Sequence, residues 1–281
     1  MNIERRIIMV KQKKRAPPNQ PFPNKVARDY YKHIRELMEE LHKNVWESFD
    51  KNLRNKIHNY RGDDALDDIQ RELTRLKENA DESLFREREL EKIASNFIQG
   101  INNVNKKSVF KQLNAVLGVD PVMNDKWLDS FMRAAIQENV NYIKSIEKQY
   151  FDKIETIIYQ GTRRGNSLNE MAHEIKKSSN SGIKRARFIA RDQAGSIYGD
   201  MTKKRNEEAG VEKFVWVTSR DERVRGNPSG LYPDAIPNHW ELDKQVFTWN
   251  KGVEKYGGLL PGEDYNCRCT SKPYIENKEE E

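Results

Sequence analysis

Only two cysteines occur in 281 residues, Cys267 and Cys269, and they stand two positions apart. That scarcity excludes a disulfide framework. A bridge between the two would close a tiny strained ring, whereas native bridges hold Cα atoms about 4.4–6.8 Å apart with specific dihedrals. Reduced thiols or metal ligands are the readings that remain. Long apolar runs are also missing: none approaches the roughly 18 residues needed to span a bilayer. The opening stretch MNIERRIIMVKQKKRAPP sets basic residues on both sides of a four-residue apolar run, too short for a secretory core. The expectation is a protein made and assembled in a cytoplasm, without a membrane partner. Apolar side chains are scarce throughout, with 33% charged residues and a mean hydropathy of −0.95. Such a chain suits long helices with one buried stripe better than a thick multilayer core. No internal repeat is visible.

What is present is a lopsided charge. The net charge is +6, from 50 basic and 44 acidic residues. Residues 1–25 carry Arg5, Arg6, Lys11, Lys13, Lys14, Arg15 and Lys25 against Glu4 alone, which accounts for all of it. The other 256 residues are neutral in sum. The basicity therefore belongs to an arm. Arg5, Arg6, Lys11, Lys13, Lys14 and Arg15 are candidate contacts to nucleic acid or to an acidic partner surface; a solvated leader is the plainer alternative. Pro17, Pro18, Pro21 and Pro23 make the next segment extended.

Beyond Pro23 the periodicity predicts helices over most of the chain. Tyr30, Ile34, Leu37, Leu41, Val45 and Phe49 mark one amphipathic run over 25–60, broken at Gly62. A highly charged run over roughly 64–100 stops at Gly100, and a short helix over 107–117 closes at Gly118 and Pro121. The strongest signal lies over 125–160, with Asp125 as N-cap, Ile136, Val140, Ile143, Ile146, Tyr150 and Ile154 as its seam, and Gly161 at its end. Ser167 and Glu170 have capping-box spacing. SSNSG, 178–182, reads as a loop before a further helix that runs to Gly210.

After Gly210 the pattern changes to short strands: EKFVWVTS, KQVFTW and CRCTSKPYI, separated by turn-rich loops. Trp216, Trp240 and Trp249 read as core of this small unit. The fold class is mainly α with a small α+β C-terminal domain. The chain divides into five segments: a basic Pro-rich arm (1–25), a helical N-terminal region (26–120), a long-helix region (121–210), a small α+β Cys/His unit (211–275) and an acidic tail (276–281).

Three polar clusters carry chemistry: TSRDERVR, NHWELD and PGEDYNCRC. On an extended strand, residues i and i+2 share a face, so Cys267 and Cys269 point together and Arg268 points away. With His239 and Asp221 they supply the four donors of a tetrahedral zinc site. Zinc would staple a unit with a small core; the alternative is a pair of ordinary buried cysteines beside a hydrogen-bonded histidine. His239-Trp240-Glu241 is also an H-x-E, which zinc deaminases pair with P-C-x-x-C. Here the cysteine gap is one residue and Pro261 lies six positions before Cys267, so that pattern is not met. Arg223 and Arg225 are assigned to an ion-pair cluster with Asp221 or Asp264.

The order of these motifs resembles the bacteriophage head-morphogenesis family, the Mu F-like minor head proteins, over about residues 130–275. The residues that carry the resemblance are NSLNEMAHEI, RARFIARDQ, W-x-T-x-x-D-E-R-V-R ending at Arg225, the histidine, LDKQVF and P-G-x-x-x-N-C-R-C. This chain inserts GNPSGLYPDAIPN before His239. It has Leu242-Asp243-Lys244 where the family has L-D-G, and Arg191-Asp192-Gln193 where it has R-T-E. The resemblance implies a low-copy structural protein of a phage or prophage head, without catalysis, present in the virion and in the host cytoplasm during assembly. It implies portal protein, capsid or scaffold proteins and double-stranded DNA as partners, with multiple copies in a particle. In the competing reading, Glu222, His239 and the cysteines form the cleft of a nucleic-acid-directed enzyme, a nuclease or toxin-like effector.

Overall fold

A computed structural model of the chain describes residues 15–54, 57, 63–118, 120–121 and 125–276. Arg5, Arg6, Lys11, Lys13 and Lys14 lie outside the described residues, as do Gly62 and 277–281 of the acidic tail.

The protein is mainly helical, with one small sheet. The helices are α1 (Asn24–Ser48), α2 (Asp63–Ser83), α3 (Glu87–Leu117), α4 (Leu128–Arg164), α5 (Leu168–Glu208) and the single turn α6 (His239–Leu242). A π-helical turn, Phe49–Leu53, comes directly after α1. The strands are β1 (Lys213–Val217), β2 (Val246–Thr248) and β3 (Thr270–Tyr274), antiparallel in the order β2-β1-β3. No described helix is long and apolar enough to cross a membrane.

Three helix boundaries differ from the sequence expectation. Gly100 does not stop a helix; it lies inside the continuous α3. A Cβ there would sit 2.9 Å from a methyl of Val26, so the glycine admits a close neighbour instead of ending the helix. The actual break falls at 84–86, where Leu84 N and Phe85 N both donate to Ala80 O and Phe85 is buried. No Gly or Pro marks it. The 178–182 segment is helical, not a loop: Ser178 and Ser181 hydroxyls donate to carbonyls three residues back, and Gly182 packs on Met38. Tertiary packing here overrides the loop composition. Likewise α4 passes through Gly161, where Met171 occupies the space a side chain would fill, and stops before Gly165 at φ +72°. The Ser167–Glu170 capping box is formed, with Ser167 N donating to the carboxylate at 2.7 Å and Glu170 N to the hydroxyl at 3.2 Å. Asp125 lies three residues ahead of α4, and its carboxylate takes Lys106 at 2.8 Å and Arg205 at 3.4 Å.

The chain forms two compact units that do not track chain order. One comprises Ala27–Ile98 and Phe131–Arg191. Its core is the seam expected for α1 and α4: Tyr30, Ile34, Leu41, Val45 and Phe49 with Val140, Ile143, Ile146, Tyr150 and Ile154. Tyr30 stacks on Phe97 at 3.9 Å between centroids and donates to Asn139 at 3.1 Å.

The other unit contains the described part of 15–26, with 99–130 and 192–276. Its α-helical part buries Arg205, which donates to Asn102 and Asn105 and pairs with Asp125. The Pro-rich segment carries no helix or strand, and it is packed down and not a free spacer. Arg15 N donates to Ala115 O, buried Gln20 donates to Gln112, and Gln112 also reaches Pro18 O and Ser271 O. The sheet alternates as a half-buried sheet must. Phe214 and Trp216 of β1 face a core of Leu242, Trp249, Val253, Leu260, Cys267 and Cys269. Trp240, expected in that core, is 38% exposed instead.

Candidate functional site

The site is assembled from three loops against the middle of α5. The first is Thr218–Arg225, leaving β1. Thr218 donates its amide and hydroxyl to Asp243 Oδ1, and Arg220 reaches the other carboxylate oxygen. This fixes the L-D pair of the second loop beside the first. Lys244, where the resembling family has glycine, is held at φ +69°.

His239 opens α6. Asn238 caps that turn, accepting from Glu241 N at 3.1 Å. The 13-residue insertion before His239 folds back on itself: Gly226 N donates to Tyr232 O and Leu231 N to Glu222 O. Trp240 N then donates to Arg225 O at 2.9 Å. The insertion therefore bulges outward, exposing Leu231, Tyr232 and Ile236, and leaves His239 next to Arg225.

The third loop, Pro261–Cys269, lies on α5. Asn266 N donates to Asp192 Oδ1 at 2.8 Å. A Cβ on Gly195 would meet Cys267 O at 2.7 Å, and one on Gly199 would meet Pro261 O at 2.4 Å. Only glycine permits that approach of backbone to helix. Cys267 and Cys269 directly precede β3 and lie outside its ladder. Both sulfurs nevertheless turn to one side.

Both sulfurs face one ring nitrogen. His239 Nδ1 is 3.7 Å from Cys267 Sγ and 3.6 Å from Cys269 Sγ. Nε2 is 3.2 Å from Asp264 Oδ2, within ion-pair range but off the line of a hydrogen bond. Asp264 also takes Arg225 at 2.5 Å, and Arg225 reaches Tyr265 O. Trp216 packs edge-on against the ring at 5.5 Å. His239, Cys267 and Cys269 are all buried.

The charges are set by this arrangement. Burial alone would discharge His239, but Asp264 and Cys267 outweigh it and raise its pKa to about 9. Hydrogen bonding from Cys269 holds Cys267 well below an ordinary thiol against the opposing effect of burial, and His239 adds to this. The same neighbour, with burial, pushes Cys269 well up. Burial would raise Asp264, but His239 and Arg225 hold it below the usual carboxylate range.

Of the residues singled out in sequence, the structure brings together His239, Cys267, Cys269, Asp264 and Arg225. Asp221 is not among the metal-capable donors; that group is His239, Cys267 and Cys269. Asp221 accepts from Arg268 at 2.6 Å and from Arg223 N at 3.0 Å. The Arg223 side chain pairs with Glu222 on the surface and stands apart from the Asp264 pair. Arg15 is exposed. Sequence reasoning missed Asp192, Gly195 and Gly199. The Gly-x-x-x-Gly spacing of the last two was a legible sign of close approach on one helix face.

The fold and site define a helix-backed domain closed by a Cys–His–Asp cluster. Residues 152–272 match the family described as Phage Mu protein F like protein. Every residue of the cluster lies inside the span. A Haemophilus influenzae protein described as uncharacterized is 33% identical over 193 residues, 68% of this chain and 40% of its own length. The chain thus spans less than half of that relative. No solved structure matches.

Proposed function

We propose that the protein is a minor head protein of a phage or prophage particle, acting in head morphogenesis at the portal vertex and in contact with packaged DNA. The observation that carries this reading is the family match over 152–272, which contains the whole Cys/His cluster. Composition supports it: long polar helices present partner-docking faces, and the cationic arm suits a DNA-filled shell. Portal, capsid or scaffold proteins are its partners, and it resides in the virion after assembly in the host cytoplasm. The cluster acts as scaffolding that fastens the three C-terminal loops to α5.

Mass spectrometry of purified particles is the direct test: the chain should be present, in few copies per portal. Its absence from particles and from assembly intermediates would refute the reading. For the DNA contact, deleting residues 1–16 should remove most affinity and flatten the salt dependence, by about 0.9 in log–log slope for each phosphate no longer neutralised. Unchanged binding would reject that role of the arm.

One observation favours a second reading. Cys267, His239 and Asp264 stand in the order nucleophile, base, orienting carboxylate. The burial of His239 and both cysteines argues for scaffolding. Cleavage of DNA or RNA in the presence of divalent metal, abolished in His239→Ala, would establish the enzymatic reading.

A further inference from the structure

We infer that His239 Nδ1, Cys267 Sγ and Cys269 Sγ bind one zinc ion, with Asp264 as the outer carboxylate that orients the ring and Arg225 as its anchor. This inference is independent of where the protein sits in a particle.

The donor spacing carries it. With Zn–S near 2.3 Å and Zn–N near 2.0–2.1 Å, a tetrahedral site requires nitrogen and sulfur about 3.6 Å apart. The two observed separations are 3.7 and 3.6 Å, and the three donor atoms all lie within 4.8 Å of one another. Two segments, 28–30 residues apart in the chain, have been brought to the edge length of a zinc tetrahedron. Two ordinary buried cysteines have no need to converge on one imidazole nitrogen. Two thiolates and an imidazole are donors that favour zinc and reject magnesium and calcium.

The outer shell has the matching form. A zinc-bound histidine hands its second nitrogen to a carboxylate or carbonyl, which fixes ring orientation. Here Nε2 faces Asp264, which is itself held by Arg225 and by the amide of Tyr265. Arg268, between the cysteines, points away to Asp221, so neither residue competes for the ion. The protein donors among the described residues number three, which leaves the fourth position to water or a small exogenous ligand.

The experiment uses the full chain, purified without chelator. Elemental analysis should find about one zinc per chain. Cobalt titrated into metal-stripped protein should give the visible and thiolate charge-transfer bands of a tetrahedral sulfur-containing site. Cys269→Ser and His239→Ala should abolish both signals. Asp264→Asn, which keeps the shape of the side chain, should weaken zinc affinity by about 10–100-fold; a purely structural Asp264 would leave the affinity unchanged. Wild-type protein that is folded by circular dichroism, yet holds no stoichiometric zinc and gives no cobalt spectrum, would overturn the proposal. Full zinc retention in Cys269→Ser would overturn it as well.

Discussion

Asp192, in the middle of α5, accepts the backbone amide of Asn266 at 2.8 Å, across 74 residues of chain. Asn266 sits at φ +54°, in the left-handed region, directly before the first cysteine. The carboxylate thus holds an unfavourable backbone conformation in place and sets where Cys267 begins. Replacing Asp192 with Ala should cost about 1.5–3 kcal/mol, the range for a hydrogen bond to a charged group. Thermal or urea unfolding of the variant would measure it. A loss below about 0.5 kcal/mol would show that other interactions hold the loop.

Gly199 meets Pro261 O at a distance that no Cβ tolerates, and the obstacle is backbone, not a flexible side chain. Gly199→Ala should therefore destabilise by more than about 2 kcal/mol, at the upper end of overpacking effects. Gly165→Ala is the contrast: open space surrounds it, and only its positive φ opposes the change. It should cost about 1 kcal/mol. Equal losses for the two would contradict the close approach.

Glu147 gives a pH signature. It is buried in α4, its Oε1 has no hydrogen-bond partner, and burial with the Asp81 charge raises its pKa from 4.5 to about 7. The folded state holds this proton more tightly than the unfolded chain. Its contribution to stability is therefore present in full below about pH 4.5 and is lost as the pH rises towards 7. Glu147→Gln should stabilise the protein by about 1–3 kcal/mol at pH 8 and flatten that pH dependence. Denaturant midpoints measured from about pH 5 to 8 would test the slope; parallel curves for wild type and variant would refute it.

Arg205 is buried with Asn102, Asn105 and Asp125 around it. Arg205→Ala removes a buried cation and strands three polar partners, so a loss of about 3–5 kcal/mol is expected. Arg205→Lys should recover only part of it, because one ammonium cannot reproduce the fork that reaches both asparagines. Full recovery by lysine, read as a melting temperature, would show that charge alone matters.

The sequence by itself determined the helical seams, the Ser167–Glu170 cap, the strand positions and the identity of the thiol pair. These are local signals: a period of 3.6 or 2, a cap three residues from its partner, two sulfurs on an extended backbone. It also carried the family resemblance, since motif order survives an insertion. Only the tertiary structure decided which carboxylate serves the histidine. The sequence reading places Asp221 there; the structure puts Asp264 there instead, with Arg268 reaching Asp221 while Arg225 holds Asp264. The same holds for Gly100, Gly161 and Gly182, which local composition reads as stops or loop. A glycine that ends a helix and one that admits a neighbour look alike in sequence, and the neighbour is Val26, Met171 or Met38, which local pattern cannot name. Tertiary packing decides such cases because its energy exceeds the fraction of a kcal/mol to about 1 kcal/mol at stake in local propensity.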